Sequence, residues 1–256
     1  MLAYTVARRC NNVEPTRSGV SIKIFTAIFM YSSEQFKQTI GLPEYANLKC
    51  QCIGLDSPEH CFDKKHFDNY GQVEYKFNEI GYRHTSINNY CGNEILAIGD
   101  SFTVGLGVNQ QHLWTELLSS MLGYPVLNFS LNGASNDWIC RKTSLLLKYF
   151  QPKCIIFHYS FTHRRERSYL DWTDVERTQC DPLYSDEENL INWQQNYNKL
   201  LDICKNISTV HTAIPNWHPG PVENVLVPTQ IDFARDGFHY GPQTHRRFAT
   251  SLLDVL

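Results

Sequence analysis

Apolar and polar residues are distributed differently before and after residue 94. Beyond it, short apolar runs alternate with segments in which apolar residues recur at helical spacing, and the connections are short. This alternation is typical of a parallel β-sheet covered by helices. The predicted strands are residues 94–98, 126–129, 154–159, 210–214 and 225–227. The predicted helices are one that ends at Gly123, one that ends before Pro152, and the segments Glu187–Lys205 and Gln243–Leu256.

The first of these strands ends in a short polar turn. Four apolar residues, Ile95–Ile98, predict a strand buried on both faces, and Gly99, Asp100 and Ser101 follow it. Ligands of open α/β sheets bind at the carboxyl ends of the strands, which is where Ser101 is expected. A Gly-Asp-Ser turn is also an ordinary way to leave a strand. Ser101 is therefore a candidate nucleophile only if a base for it exists elsewhere.

The first 93 residues lack this alternation. Their turn-forming residues separate short alternating pieces, which predicts a small, mainly β or irregular amino-terminal module (residues 1–93) ahead of the main domain (residues 94–256). The apolar stretch at 20–31 contains Lys23 and is too short to span a bilayer, so it predicts a buried strand or helix. Residues 160–186 predict a long loop of the kind that shapes substrate pockets.

Composition and charge exclude one class of partner. The share of apolar residues, 42%, and of charged residues, 19%, is typical of a folded globular protein. The net charge of -3, from 23 basic and 26 acidic residues, lacks the excess of cations that nucleic-acid binding demands. We therefore expect no nucleic-acid partner.

The nine cysteines favour reduced thiols over zinc ligands or a disulfide framework. Their number is odd, and no CxxC pair or His-x-His cluster has the ligand spacing of a structural zinc site. Since no clear signal peptide or membrane span is present either, we expect a cytoplasmic protein. A disulfide among Cys50, Cys52, Cys61 and Cys91 stays open as an alternative.

A candidate base for Ser101 precedes the last predicted helix. Asp236 and His239 are three residues apart, a spacing that in a loop or a single helical turn brings a carboxylate back onto a histidine ring. A serine hydroxyl is a poor nucleophile until a histidine takes its proton, and the histidine works best when a carboxylate holds its other nitrogen. One segment can thus supply both the base and the carboxylate that orients it.

These two blocks together resemble the SGNH or GDSL hydrolases, a family of esterases and lipases. In that family a Gly-Asp-Ser block near the start of the domain carries the nucleophile, and an Asp-x-x-His block near its end carries the other two triad residues. The turn at Ser101 and the segment Asp236–His239 match both blocks in order and position, over about residues 94–256. The resemblance implies a flavodoxin-like three-layer αβα fold, a triad of Ser101, His239 and Asp236, and hydrolysis with no metal or organic cofactor.

The oxyanion-binding blocks of the family match less well. Gly133 follows the second strand, where the family has a glycine whose N–H binds the oxyanion. The third block, normally Gly-x-Asn-Asp, is absent, and Thr162 falls at the asparagine position. By resemblance, the amides of Ser101 and Gly133 and the hydroxyl of Thr162 bind the oxyanion. Because losing one donor costs roughly 100- to 1,000-fold in turnover, a catalytically weak or inactive glycan-binding module is the alternative function.

The resemblance also bears on the substrate. The family includes carbohydrate O-acetyl esterases, lipases, thioesterases and acyltransferases, and no long apolar lid is evident here. We therefore expect a small-molecule or glycan ester that carries a short, acetyl-like acyl group on a polar or carbohydrate scaffold.

Several other residues allow both a functional and a structural interpretation. Asp100 is interpreted as structural, because its carboxylate can accept hydrogen bonds from turn amides. The basic run at 163–167 offers either cations for an anionic substrate or a solvated loop paired with nearby acidic residues. Trp172, Trp193 and Trp217 are large enough for a carbohydrate platform but are more often core. The element Tyr-x-x-Asn-x-x-Gly-x-Arg at 75–83 resembles one in amino-terminal extensions of some bacterial and phage members of the group.

Overall fold

The structure is a computed structural model that describes residues 34–84, 94–166, 178–180, 184–215 and 224–256. The apolar stretch at 20–31 and Cys91 lie outside the described residues. Cys50, Cys52 and Cys61 are free thiols, so the described part of the proposed disulfide set contains no bridge. None of the helices within the described ranges combines the length and hydropathy needed to cross a bilayer.

The described residues before 94 contain helices as well as strands. Their elements are α1 (Glu34–Ile40), β1 (Lys49–Cys50), α2 (Lys64–Tyr70) and β2 (Tyr75–Lys76). The two strands pair antiparallel, while Phe36 and Ile40 on one face of α1 join the main hydrophobic core. The expectation of a mainly β or irregular module did not include these helices, because seven residues give too few turns to show a helical period. The division of the chain at residue 93 stays a prediction.

The main part of the chain follows the predicted alternation. Its strands are β3 (Ile95–Gly99), β4 (Val126–Asn128), β5 (Cys154–Tyr159), β6 (Arg164–Glu166), β7 (Thr178–Cys180), β8 (Ser208–Ala213) and β9 (Val225–Leu226). Its helices are α3 (Ser101–Val104), α4 (Trp114–Leu122), α5 (Asn136–Leu146), α6 (Asp186–Ile203) and α7 (Pro242–Leu253). Each predicted element is present, with its ends shifted by a few residues.

Five of these strands form one parallel sheet, and this confirms the predicted fold class. The order across the sheet is β4-β3-β5-β8-β9, with β6 and β7 as a separate antiparallel pair. Helix α4 packs against α7, and α5 packs against α6. This is the flavodoxin-like order. The sheet changes winding direction between β3 and β5, which are its first and third strands in chain order but neighbours in space. Ligands of such sheets bind at that switch point.

Burial explains why the strands next to the switch point read as uninterrupted apolar runs. All residues of β3 and β5 are buried, since helices cover both faces of a parallel sheet. The connecting helices have the expected ends. Gly123 caps the end of α4, where it has a φ of 71° and donates its N–H to Ser119 O. Ser135 caps the start of α5, and its side chain accepts from the Trp138 N–H. Because β3 and β4 pair in parallel, the turns that follow them lie at the same edge of the sheet.

Candidate active site

A buried carboxylate fixes the turn that carries Ser101. Asp100 is the N-cap of α3, and its Oδ1 accepts from the Phe102 N–H at 3.0 Å. Its Oδ2 accepts from Ser160 Oγ at 2.8 Å and from Arg164 Nη1 at 3.0 Å. Burial raises the pKa of Asp100, while Arg164 and the hydrogen bonds from Ser160 and Phe102 oppose the rise. Asp100 therefore ties the end of β3 to the turn after β5, in agreement with the structural interpretation.

The segment Asp236–His239 folds back on itself in one tight turn. Asp236 Oδ1 accepts from the N–H groups of Phe238 at 2.9 Å and His239 at 3.0 Å, and its Oδ2 contacts His239 Nδ1. Gly237 has a φ of +76°, and a Cβ there would lie 3.3 Å from Cβ of Asp63. Glycine is suited to this position because other residues rarely adopt such a φ.

The two turns bring Ser101, His239 and Asp236 into one chain of contacts. His239 Nε2 lies 2.8 Å from Ser101 Oγ. Because Nδ1 faces the carboxylate, it carries the proton of the neutral ring, and Nε2 is left to accept a hydrogen bond from the serine hydroxyl. The three residues are 2%, 1% and 0% exposed, respectively, so the chain of contacts lies almost wholly out of water.

Hydrogen bonding keeps the Asp236 carboxylate charged in this buried setting. Burial alone would raise its pKa, but the hydrogen bond and the charge interaction with His239, together with the N–H groups of His239 and Phe238, lower the pKa below its ordinary value. An ionised carboxylate in contact with Nδ1 stabilises the positive charge that the imidazole gains when it takes a proton. This arrangement can activate Ser101 as a nucleophile.

The two backbone amides that the resemblance assigns to the oxyanion are those of Ser101 and Gly133. The N–H groups of Ser101 and Gly133 donate no hydrogen bond to any of the described residues. Ser101 is the first residue of α3, a position whose N–H has no acceptor within the helix. Gly133 has a φ of 79° in the turn after β4, where a residue with a Cβ would be strained. The structure therefore leaves both amides without an acceptor among the described residues.

Thr162 lies half-buried in the turn after β5 and hydrogen-bonds to none of the described residues. The turn itself is held by Asn136, the first residue of α5. Its Oδ1 accepts from the Ser160 N–H at 3.0 Å, and its Nδ2 donates to Ser160 O at 3.0 Å. No sequence motif points to Asn136, because only the fold brings it to a strand end that is 24 residues away in the chain.

The basic run after Thr162 fits neither of its two sequence interpretations fully. Arg164 donates to Asp100, as described above, and Arg165 donates to Asn189 Oδ1 at 3.2 Å and to Glu188 O at 2.8 Å. Arg167 lies outside the described residues. The two described arginines thus hold the turn to its neighbours in the fold. Arg164 belongs to the support of the nucleophile turn, a role that its sequence context did not indicate.

A cavity of about 660 Å³ is lined mainly by apolar side chains, Phe102, Phe161, Phe233 and Phe238 among them. The rings of Phe102 and Phe238 lie 4.6 Å and 5.1 Å from the His239 ring, centroid to centroid. Gln230 also lines the cavity, and its Nε2 donates to the carbonyls of Phe238 and His239. Of the three tryptophans considered as a carbohydrate platform, Trp193 is buried in the core, and Trp172 and Trp217 lie outside the described residues.

Within the described ranges, no group of three or more His, Cys, Asp or Glu side chains is arranged to hold a metal ion.

No protein-family model matches the chain, and no curated protein matches it in sequence. Solved structures that resemble it include a carbohydrate esterase whose active site is described as displaying divergent catalytic and non-catalytic binding functions (16% identity, TM-score 0.45, 64% of each chain covered). TesA matches at 17% identity and a TM-score of 0.45, over 64% of this chain and 98% of its own. An acetyl xylan esterase of the rumen bacterium Butyrivibrio proteoclasticus matches at 15% identity and 0.44, over 64% and 63%. The chain therefore covers less than two thirds of two of these structures, and the likeness is one of fold.

Proposed function

We propose that the protein is a serine-dependent carboxylic ester hydrolase with Ser101, His239 and Asp236 as its catalytic residues. One observation carries the proposal: the buried chain of contacts from Asp236 through His239 to the Ser101 hydroxyl, with 2.8 Å between His239 Nε2 and Ser101 Oγ. A distance of about 2.6–3.2 Å between nucleophile and base is what proton transfer requires. A Gly-Asp-Ser turn that only ends a strand would not require a histidine ring at this distance from its serine.

The reaction follows from the positions of the protons. Ser101 Oγ attacks the ester carbonyl carbon while its proton passes to His239 Nε2, and Asp236 stabilises the imidazolium. The proton then goes from Nε2 to the leaving alkoxide, and the C–O bond breaks to leave an acyl group on Ser101 and a free alcohol. A water molecule attacks the acyl-enzyme with His239 again as base, which releases the acid and restores the serine.

The oxyanion of each tetrahedral intermediate needs donors on the side opposite the base. The N–H groups of Ser101 and Gly133 have no acceptor among the described residues and are assigned this role, with the Thr162 hydroxyl as third donor. Preorganised donors of this type stabilise charge that develops only in the transition state. They also need no cofactor, in keeping with the expected mechanism.

The enclosure of the nucleophile supports a short acyl group. Ser101 is 2% exposed, so a small, acetyl-like acyl group fits beside it better than a long chain does. The alcohol part of the ester, a polar or carbohydrate scaffold, is assigned to the adjoining cavity with its apolar faces against Phe161 and Phe238. Glycan or small-molecule esters are therefore the substrate class that we propose.

Hydrolysis of p-nitrophenyl acetate by the wild type and by Ser101→Ala tests the proposal. We expect a rate for the wild type that exceeds that of Ser101→Ala by at least about 1,000-fold, since the triad acts as a unit. A covalent adduct of an alkyl fluorophosphonate on Ser101, seen by mass spectrometry, would show the activated serine directly. Equal background rates for both proteins together with no adduct would favour the alternative, a glycan-binding module without catalysis. A series from acetate to octanoate then tests the preference for short acyl groups.

A further inference from the structure

The segment upstream of the main domain contacts both halves of the candidate site. We call residues 49–84 the upstream segment; it includes β1, α2 and β2. One set of its contacts reaches the turn that carries Asp236 and His239, and another reaches the loop that follows Ser101 and α3. Its role has no explanation in the chemistry described so far.

A buried ion pair anchors the turn of Asp236 to this segment. Arg235 donates from Nε to Asp56 Oδ1 at 2.9 Å and from Nη2 to Asp56 Oδ2 at 2.7 Å. The two side chains are 6% and 0% exposed, and the Arg235 guanidinium also lies 4.5 Å from the centroid of the Phe67 ring. The Phe62 N–H donates to Asp236 O at 2.9 Å. Bidentate pairing fixes the angle of a guanidinium as well as its position, so the backbone next to Asp236 is held in one orientation.

A second arginine anchors the loop after Ser101. Arg83 is buried and donates from Nη1 to Val104 O at 3.1 Å and Gly105 O at 2.7 Å, and from Nη2 to Val108 O at 2.9 Å. Burial lowers the pKa of Arg83 to about 10, which still leaves it charged at neutral pH. These three carbonyls belong to the last turn of α3 and the loop beyond it, so Arg83 fixes the exit of the helix whose first residue is Ser101.

Other residues of the Tyr-x-x-Asn-x-x-Gly-x-Arg element hold Arg83 in place. Asn78 Oδ1 accepts from the N–H groups of Ile80 at 3.1 Å and Tyr82 at 3.0 Å. Gly81 has a φ of 89°, and a Cβ there would lie 2.2 Å from Leu42 O. The asparagine and the glycine thus shape the turn that presents the arginine.

The Tyr75 hydroxyl joins the two anchors. It donates to Asp56 Oδ2 at 2.6 Å and accepts from the Gly107 N–H at 2.7 Å. Gly107 O in turn accepts from the Arg235 N–H at 3.1 Å. Burial, together with the nearby Asp56 carboxylate, raises the pKa of Tyr75 well above its ordinary value, so the hydroxyl stays protonated and able to donate. The loop after Ser101 and the turn before Asp236 are therefore tied to one carboxylate through one hydroxyl.

We propose that Tyr75, Asp56 and Arg235 are positioning residues that set the distance between Ser101 and His239, so that the upstream segment acts on the site through Tyr75 and Asp56. This inference rests on the proposed hydrolase function. The three residues touch no reacting atom in it; they act through the two loops. An error of about 1 Å in the placement of catalytic groups can cost roughly 100-fold in rate. A hydrogen-bond network that joins both loops can therefore change the rate strongly.

Tyr75→Phe, compared with Tyr70→Phe, tests the proposal. Both changes remove one buried hydroxyl from the same segment, but the Tyr70 hydroxyl has no hydrogen-bond partner among the described residues. On p-nitrophenyl acetate we expect kcat to fall about tenfold or more in Tyr75→Phe with KM within twofold, and to stay unchanged in Tyr70→Phe. A folded Tyr75→Phe protein with the kcat of the wild type would overturn the proposal.

Two further measurements cover the cases in which Tyr75→Phe does not fold or the protein is not a hydrolase. Arg235→Lys keeps the cation but loses the bidentate geometry; it is expected to lower kcat in the same way, and it decides the question if Tyr75→Phe does not fold. If Ser101→Ala is as active as the wild type, the hydrolase function fails, and the ¹⁵N resonances of the His239 ring then test the positioning alone. We expect these resonances to shift in Tyr75→Phe and to stay in place in Tyr70→Phe. Identical spectra for Tyr75→Phe and the wild type would rule the positioning role out.

Discussion

His239 Nε2 lies 2.8 Å from Ser101 Oγ, although 138 residues separate the two in the chain. Each residue stands on a turn with its own buried carboxylate: Asp100 holds the turn of Ser101, and Asp236 holds that of His239. The first carboxylate accepts from Arg164 and Ser160, whereas the second contacts the ring of the base. The two carboxylates therefore have different roles: Asp100 fixes the turn that carries Ser101, whereas Asp236 contacts the ring of the proposed base.

Asp236→Asn tests the role of Asp236 and leaves Asp100 unchanged. An amide cannot stabilise the imidazolium and does not enforce the Nδ1–H form of the ring, so kcat on an activated ester is expected to fall by roughly 10,000-fold. The matched control is Asp232→Asn, because Asp232 Oδ1 and Oδ2 accept from the N–H groups of Thr244 and Gln243 at the start of α7 and make no contact with His239. Steady-state kinetics should show kcat within a few-fold of the wild type for the control. An equal loss in both variants would contradict the assignment of Asp236.

Gly107→Ala probes the close approach of the two loops. Gly107 has a φ of 74°, and a Cβ there would lie 2.7 Å from Ala234 Cβ and 2.8 Å from the backbone nitrogen of Arg235. The added methyl group must therefore push the two loops apart. Gly123→Ala is the control, since Gly123 has a φ of 71° but open space around its Cβ. The left-handed backbone alone costs about 1–2 kcal/mol in either variant.

We therefore expect both glycine variants to lose stability in urea denaturation, with the larger loss in Gly107→Ala. In assays on p-nitrophenyl acetate, only Gly107→Ala should lose kcat, by roughly tenfold or more. Full activity in a folded Gly107→Ala protein would show that the two loops can separate without harm to the site.

The parts of the site that lie within short sequence motifs were predictable, and the parts that join distant positions were not. Ser101 and the Asp236–His239 pair stand in local blocks whose residue types and spacing carry the chemistry. By contrast, the contact of Arg164 with Asp100 spans 64 residues and that of Arg235 with Asp56 spans 179. An arginine in a polar loop looks the same in a sequence whether it meets water or a buried carboxylate.

The fold was predictable for a related reason. Burial on both faces makes β3 and β5 continuous apolar runs, whereas strands of two residues, such as β1 and β2, are too short to be located individually. The helices at Glu34–Ile40 and Lys64–Tyr70 were missed because seven residues give too few turns to show a helical period.

His158 gives the stability of the protein a defined dependence on pH. The residue is wholly buried in β5, with Nδ1 2.8 Å from Thr212 Oγ1, and burial lowers its pKa from 6.5 to about 3. Its pKa is lower in the folded state than in the unfolded state, so below pH 6.5 the unfolded chain binds a proton that the folded protein does not. The free energy of unfolding should therefore fall with pH below 6.5, by up to about 1.4 kcal/mol per pH unit from this residue alone.

Urea denaturation of the wild type and His158→Gln between pH 7 and pH 5 measures the contribution of His158 to the pH dependence of stability. The slope of the free energy of unfolding against pH should be smaller in the variant, by a difference that grows as the pH falls and approaches one proton, or about 1.4 kcal/mol per pH unit, near pH 5. His245 and His211, whose pKa values burial lowers to about 3 and about 4, should contribute to the slope that remains. Equal slopes for the two proteins would mean that His158 takes up a proton in the folded state.

Thr162→Val tests the third oxyanion donor, the position at which the chain departs from the family that it resembles. The Thr162 side chain is half-buried and hydrogen-bonds to none of the described residues, while Asn136 holds the turn beneath it through the Ser160 backbone. Valine keeps the shape and removes the hydroxyl, so kcat on p-nitrophenyl acetate should fall about tenfold or more with little change in KM, because the hydrogen bond forms in the transition state. Thr162→Asn restores an amide donor at the same place and should retain or raise kcat, which makes it the matched control. A kcat for Thr162→Val equal to that of the wild type would remove Thr162 from the oxyanion site and leave the N–H groups of Ser101 and Gly133 as its donors.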